Sequence, residues 1–125
     1  MPHRSDRDRL VDFIQIIGAE PRETEFDDEG HLVKLNLAGL NLIDLPPEIG
    51  QFVHLQKLLL DGTETKLDNQ LTHLPSEIGQ LANLQVLSLE KNNFTSLPPE
   101  ITGLINLQEL ILASNKLTTL PPEIG

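Results

Sequence analysis

Cysteine, tryptophan and tyrosine are absent from this chain, and its 125 residues include only four phenylalanines. Without cysteine the chain cannot form disulfides, thiolate metal sites or a cysteine nucleophile. Cations are scarce as well: nine Lys and Arg face nineteen Asp and Glu, which gives a formal net charge of −10. Binding of nucleic acid needs clustered cations, and an anionic membrane surface repels an acidic chain. We therefore expect no nucleic-acid partner and no membrane partner.

Long apolar segments are also missing. No stretch approaches the roughly 20 apolar residues of a membrane-spanning helix. The first six residues lead into no apolar run of the kind a signal peptide contains. We therefore expect a cytoplasmic protein. Hydrophobic residues, mostly Leu and Ile, still make up 38% of the chain, which suits one domain with an aliphatic core.

Two sequence patterns each occur four times. The pattern Leu-Pro-x-Glu-Ile-x occupies residues 45–50, 74–79, 97–102 and 120–125. The pattern Leu-x-x-Leu-x-Leu precedes each copy, at residues 32–37, 55–60, 84–89 and 107–112. The period is 23 residues, but the second unit is six residues longer. Only an insertion between Leu60 and Leu71 accounts for every spacing.

Each part of the unit predicts a local structure. Alternating leucines predict a half-buried strand. Proline cannot continue a central strand but suits the start of a helical turn. Apolar residues three apart, such as Ile49 and Phe52, then predict a short helix or 3₁₀ turn. Asn92 and Asn115 follow their strands at a fixed offset, and Asn69 holds this place once the insertion is removed. We expect their amides to form a ladder of hydrogen bonds with the backbone.

The full unit, Leu-x-x-Leu-x-Leu-x-x-Asn-x-Leu-x-x-Leu-Pro-x-x-Ile-x-x-Leu, resembles the leucine-rich repeat family over about 95 of the 125 residues. Its ending is similar to intracellular repeats of bacterial, plant and animal signalling proteins. The resemblance implies an α/β fold, a right-handed solenoid with a parallel β-sheet on its concave face and short helices or 3₁₀ turns on its convex face. The repeats would span residues 32–54, 55–83 with the insertion, 84–106 and 107–125, the last incomplete.

Residues 1–30 differ from the repeats and predict an N-terminal cap. Ser5 or Asp6 suits the N-cap of a helix that runs to about Ile17, and Gly18 suits its end. The stripe on one face of this helix consists of Leu10, Phe13, Ile14 and Ile17. Residues 24–26 then predict a short strand and residues 27–30 a turn. A helix and a hairpin would thus cover the first repeat.

Strand side chains that point away from the core would line the concave face, which the resemblance implicates in protein binding. These candidates are Lys34, Asn36, Lys57, Leu59, Asp61, Val86, Ser88, Glu90, Glu109 and Ile111. Among them Leu59, Val86 and Ile111 fall on consecutive strands, and contiguous exposed apolar surface marks interaction sites. The alternative is a solvated sheet surface, because the set contains no Trp, Tyr or Arg of the kind that dominates binding energy.

The insertion is a second candidate contact, since insertions in repeat proteins often lie on the binding face. It consists of Thr63, Glu64, Thr65, Lys66, Leu67 and Asp68. A loop tolerated at little cost is the alternative. Its carboxylates do not match the calcium-loop pattern, and the chain has neither a phosphate-binding loop nor a nucleophile elbow. We expect no metal, no cofactor and no catalytic residue.

No capping segment follows the fourth repeat, which leaves a possible self-association edge. Its apolar residues include Leu110, Leu112, Leu117 and Leu120. Either a homodimer forms through this edge or the natural protein continues beyond it. The sequence therefore favours a non-catalytic module that binds a protein partner. A recognition segment of a larger signalling enzyme (a GTPase, kinase or ligase) and a self-assembling module remain alternatives.

Overall fold

The structure, a computed structural model, describes residues 4–62 and 70–118. Helix α1 (Asp6–Ile17) comes first. Five strands follow it: β1 (Glu23–Phe26), β2 (Leu32–Asn36), β3 (Lys57–Leu59), β4 (Val86–Ser88) and β5 (Glu109–Ile111). Three 3₁₀ helices separate the last four strands: η1 (Pro47–Gln51), η2 (Ser76–Gln80) and η3 (Pro99–Gly103). Within the two described ranges, no helix has the length and apolar character needed to cross a membrane.

The five strands form one sheet in the order of the sequence. Strands β2 to β5 are parallel, and β1 pairs antiparallel with β2. The register aligns Lys34 with Lys57, Val86 and Glu109, and it aligns Asn36 with Leu59, Ser88 and Ile111. The columns predicted from the period of the sequence are therefore confirmed, so equivalent positions of successive units lie side by side.

The core lies between the sheet and the layer of 3₁₀ helices. The strand leucines Leu35, Leu58 and Leu87 are fully buried, and Phe94 occupies a leucine position of the unit with no exposed surface. The 3₁₀ helices stack closely, because a Cβ atom on Gly50 would lie 2.7 Å from Gln80 Oε1 and 2.8 Å from the backbone oxygen of Glu77. Glycine at this position therefore sets the distance between η1 and η2.

The predicted asparagine ladder is present at both described positions. Asn92 is 5% exposed. Its amide nitrogen donates to the backbone oxygens of Leu60 at 2.9 Å and Leu89 at 3.1 Å, and its Oδ1 accepts from Leu71 N at 3.1 Å. Asn115 repeats this geometry one unit later, with contacts to Leu89 O, Leu112 O and Phe94 N. Each asparagine thus binds the backbone of its own unit and of the preceding one.

Helix α1 has the predicted bounds and covers the first unit. Ser5 forms a capping box with Asp8, and Gly18 ends the helix with φ of 73°. Phe13 is fully buried and meets Phe52 edge to face, with ring centroids 5.7 Å apart. Asp6 is buried as well. Its carboxylate accepts from Leu32 N at 2.7 Å and from Arg9 at 2.9 Å, and it therefore ties the start of α1 to the start of β2.

The turn between β1 and β2 is organised by Asp27. Its Oδ1 accepts from the backbone N–H groups of Glu29 and His31, both at 2.9 Å, and its Oδ2 lies 3.2 Å from His31 Nδ1. The bond from the His31 N–H is the main reason that the pKa of Asp27 lies below the ordinary value of 3.8, although partial desolvation acts in the opposite direction. The predicted turn at residues 27–30 is thus present, with Gly30 N bonded to Asp27 O.

Candidate functional site: the concave face of the sheet

The concave face is the set of outward side chains on β2 to β5 and directly after them. On β2, the polar side chains of this face already bind other groups of the chain. Lys34 Nζ lies 2.8 Å from a Glu23 carboxylate oxygen on β1. This hydrogen bond is the main cause of the raised pKa of Lys34. Asn36 Oδ1 accepts from Ala38 N at 3.0 Å.

An apolar strip of Leu59, Val86 and Ile111 crosses β3, β4 and β5, as the sequence predicted. All three side chains are half-buried. Leu59 and Ile111 align with the same β4 residue, Ser88, and Val86 lies two positions before that residue on the same strand. The apolar surface is therefore continuous over three neighbouring strands, which scattered surface residues would not produce.

Ser88 does not have the exposure expected of a contact residue. Only 2% of its surface is accessible. Its hydroxyl donates to the Asp61 carboxylate, and the larger side chains of Leu59 and Ile111 stand on both sides of it in the register. Ser88 is therefore buried and not exposed as expected, and its role as a partner contact stays a prediction. Its hydroxyl instead stabilises Asp61, which is half-buried at the edge of the strip.

The remaining charges of the face are divided between its two sides. Lys57 on β3 is exposed, and Glu109 on β5 is exposed. Neither forms an ion pair with any residue in the described ranges. Val86 lies between them in the same row of the register. Glu90, half-buried just beyond β4, adds a second carboxylate to the acidic side. Within this row the face therefore changes from basic to apolar to acidic from β3 to β5.

A second ladder, which sequence reasoning missed, links the units before each strand. The Nδ2 atom of Asn83 donates to Val53 O at 3.2 Å, and that of Asn106 donates to Ala82 O at 2.8 Å. In the first two units histidine holds this position, and the rings of His31 and His54 stack with centroids 3.6 Å apart. The sequence did contain a signal for this second ladder, because each of these four residues directly precedes the first leucine of its unit.

A cavity of about 520 Å³ opens beside this histidine pair. Its lining includes three arginines of the α1 region, each already engaged. Arg4 pairs with Asp12 and Arg9 with Asp6. The Arg7 guanidinium lies 4.0 Å from the centroid of the Phe26 ring. The cavity was not predicted from the sequence, and its cations are occupied within the chain.

Two other predicted surfaces lie partly or wholly outside the described residues. The inserted loop, Thr63–Asp68, lies wholly outside them, and so does Leu120 of the self-association edge. Leu110, Leu112 and Leu117 are described, and each is partly buried against the core. Within residues 4–62 and 70–118, no group of three or more histidine and carboxylate side chains could hold a metal ion.

Comparisons with known proteins agree with this architecture. A family model of leucine-rich repeats, in two copies, matches residues 82–123. A solved leucine-rich repeat protein of Leptospira interrogans is similar at 54% sequence identity and a TM-score of 0.61. That match covers 67% of this chain but 20% of the other, so the chain spans about a fifth of the Leptospira protein. No curated protein matches the chain.

Two further solved structures are similar over more of the chain. The leucine-rich repeat ectodomain of the receptor kinase SOBIR1 from Arabidopsis thaliana shares 28% identity with a TM-score of 0.62. The match covers 90% of this chain and 67% of that ectodomain. The PEPR1–AtPEP1 structure shares 27% identity with a TM-score of 0.60, over 78% of this chain and 15% of the other.

Proposed function

From its place in the leucine-rich repeat family, we propose that this chain is a non-catalytic module that binds a protein partner through its concave face and its inserted loop. The observation that carries the proposal is the apolar strip of Leu59, Val86 and Ile111. Burying continuous apolar surface favours association. The strands that hold the strip are fixed by neighbours and by the buried leucine core, so binding would cost little ordering of the backbone.

The comparisons support protein binding in general. The similar structures include a receptor ectodomain and PEPR1–AtPEP1, and this chain has the same fold. For this chain, the choice of the concave face depends on its own half-buried strip and on the exposed charges of Lys57 and Glu109, which form no ion pair with a residue that the structure describes.

Substitution within the strip tests the proposal. We would identify partners by capture from the source cells, and measure their affinity for the purified chain by calorimetry. Val86→Asp places a carboxylate in the strip and is expected to weaken binding at least about tenfold. The matched control is Ile105→Asp, since Ile105 is an apolar residue that is 83% exposed and lies outside the concave face. Equal affinities of the two variants would contradict the proposal.

The inserted loop is tested separately by its deletion. Removal of residues 63–68 restores the 23-residue period throughout, so the solenoid has no reason to lose its fold. We expect the deletion to weaken partner binding while the thermal midpoint stays within a few degrees. Unchanged affinity would limit the proposal to the concave face. Cell fractionation tests the cytoplasmic location that we propose with it.

Self-association through the final repeat is a second candidate, supported by the partial burial of Leu110, Leu112 and Leu117. The equivalent leucines Leu58 and Leu87 have no exposed surface. Light scattering over a hundredfold dilution tests it. A dimer that Leu110→Glu abolishes and Val86→Glu preserves would establish this candidate, whereas a monomer throughout would refute it.

A recognition segment of a larger signalling enzyme is the third candidate. Its support is the likeness to the SOBIR1 ectodomain, which is part of a receptor kinase. An antibody against this chain tests it on the native protein. A band near 13.9 kDa would refute the candidate, and a much larger band with kinase, GTPase or ligase sequence by mass spectrometry would establish it.

A further inference from the structure

We propose that the concave face selects an extended peptide segment with an acidic and a basic residue two to four positions apart and an apolar residue between them. This inference rests on the proposed function and specifies the chemistry of the partner. Its basis is one row of the sheet, in which Lys57, Val86 and Glu109 are direct neighbours on β3, β4 and β5. The row offers a cation, an apolar side chain and an anion in that order.

Both charges of this row are available to a ligand. Lys57 and Glu109 are exposed and form no ion pair with a residue that the structure describes. The neighbouring cation Lys34 is different, because Glu23 already binds it at 2.8 Å. Asp61, just beyond β3, accepts from the neutral Ser88 hydroxyl and keeps its negative charge outside this row. Within the row, β3 therefore presents the cation of Lys57 and β5 presents the anion of Glu109, with Glu90 just beyond β4.

The dimensions of the row match an extended chain that crosses the strands. Neighbouring strands lie about 4.8 Å apart, so Lys57 and Glu109 are separated by about 10 Å at the backbone. An extended peptide advances about 3.3 Å per residue, so three residues cover the same distance. The flexible side chains of lysine and glutamate allow a spacing of two to four residues. An apolar side chain of the peptide would then meet Val86 and its neighbours Leu59 and Ile111.

The same arrangement disfavours other ligands. A nucleic acid or a polyphosphate would place phosphates against Glu90 and Glu109, where like charges repel. A wholly apolar ligand would leave Lys57 and Glu109 beside a contact from which water is excluded, and unpaired charges are costly there. A ligand that carries both signs around an apolar centre satisfies all three positions at once.

Selection from a displayed library of random dodecapeptides tests the inference without a known partner. The wild-type chain should enrich peptides with an acid on one side of an apolar residue and a base on the other, in either order along the peptide. Lys57→Glu makes both sides acidic and should enrich base, apolar, base. Glu109→Lys makes both sides basic and should enrich acid, apolar, acid. These outcomes do not depend on the direction in which the peptide lies.

Matched controls carry the same charge changes away from the face. Lys116→Glu and Glu100→Lys alter exposed residues outside the row and should leave the wild-type pattern unchanged. The neutral variants Lys57→Gln and Glu109→Gln should lose only the charge preference on their own side. A synthetic peptide from the wild-type pool should bind each reversed variant at least about fivefold more weakly, because attraction becomes repulsion.

The outcomes separate this inference from the proposed function. Peptides that depend on Val86 but keep one pattern in wild type, Lys57→Glu and Glu109→Lys would overturn the inference and leave concave-face binding in place. If the wild-type chain enriches no peptide, or only peptides that the Val86→Asp variant enriches equally, the inference is overturned. The proposed function is then decided by the affinities of the captured partner for the Val86→Asp and Ile105→Asp variants. A dimer in light scattering that Lys57→Glu dissociates would identify a second copy of the chain as the occupant and would also overturn the peptide inference.

Discussion

Replacing Asn92 with alanine would remove a buried ladder side chain that forms four hydrogen bonds with the backbone. Its Nδ2 contacts the backbone oxygens of Leu60, Leu89 and Glu90, and its Oδ1 accepts from Leu71 N. With 5% exposure, the site gives water little access to these groups. The substitution keeps the backbone and deletes only the amide.

The expected loss of unfolding free energy follows from the backbone groups that no longer have the Asn92 amide as a hydrogen-bond partner. The buried N–H of Leu71 loses its acceptor, which costs about 1–3 kcal/mol when no other partner replaces it. The loss of the amide donor to Leu60 O and Leu89 O adds about 1 kcal/mol for each net hydrogen bond. We expect the free energy of unfolding to fall by about 3 kcal/mol. A domain of this size has a total of about 10 kcal/mol, so the change is large.

Urea unfolding followed by circular dichroism measures this change. With a slope of about 2 kcal/mol per molar urea, the midpoint should decrease by about 1.5 M. Asn93→Ala is the matched control, because Asn93 is the adjacent asparagine and its side chain has no hydrogen bond within the described residues. If the Asn92 and Asn93 variants unfolded within about 0.5 kcal/mol of each other, the ladder would not stabilise this fold as argued.

Three further predictions concern close approach, backbone conformation and pH. Gly50→Ala should lower the unfolding free energy by about 2 kcal/mol, because its Cβ would lie 2.8 Å from a backbone oxygen. The control Thr102→Ala, in the last 3₁₀ helix, should change the unfolding free energy little. Equal effects of the two variants in thermal melts would refute the packing argument. Ser114→Gly should raise the unfolding free energy by about 0.5–1 kcal/mol in urea titrations, since Ser114 has φ of 60°, which glycine adopts without strain. A lower unfolding free energy of this variant would contradict the strain assigned to the position. The lowered pKa of Asp27 means that its contribution is complete above the ordinary value of 3.8 and is lost as pH falls through the folded-state pKa. Asp27→Asn should therefore flatten the pH dependence of unfolding below about pH 4, and identical profiles of variant and wild type would refute this.

The period of the sequence predicted most of what depends on repetition. Alternating leucines located β2 to β5, and the period placed Lys34, Lys57, Val86 and Glu109 in one row, which the register confirms. These features follow from local residue patterns and from the stacking of equivalent positions in successive repeats. The ends of α1 were also predictable, because a capping residue and a left-handed glycine act within one turn of the chain.

Features that depend on lateral contacts were not predictable in the same way. The burial of Ser88 follows from its small size between Leu59 and Ile111 and from its bond with Asp61, which lies on a different unit. Similarly, Asp6 reaches the backbone of Leu32 from another element. A period states which side chains point outward, but exposure depends on the sizes of neighbours that only the folded arrangement brings together.

The row that carries the proposed recognition illustrates why the site could be located more readily than its partner. The core leucines of β2 to β4 are the same in each unit and fully buried, so packing fixes them. The outward position changes from Lys34 and Lys57 to Val86 and Glu109, although its backbone environment is nearly constant. Core packing therefore does not dictate these side chains, and their chemistry can match a partner. Since the order of cation, apolar residue and anion in β3 to β5 is independent of the fold, we expect the solenoid to tolerate other residues in place of Lys57 and Glu109. The specificity of this face can therefore be measured directly with such variants.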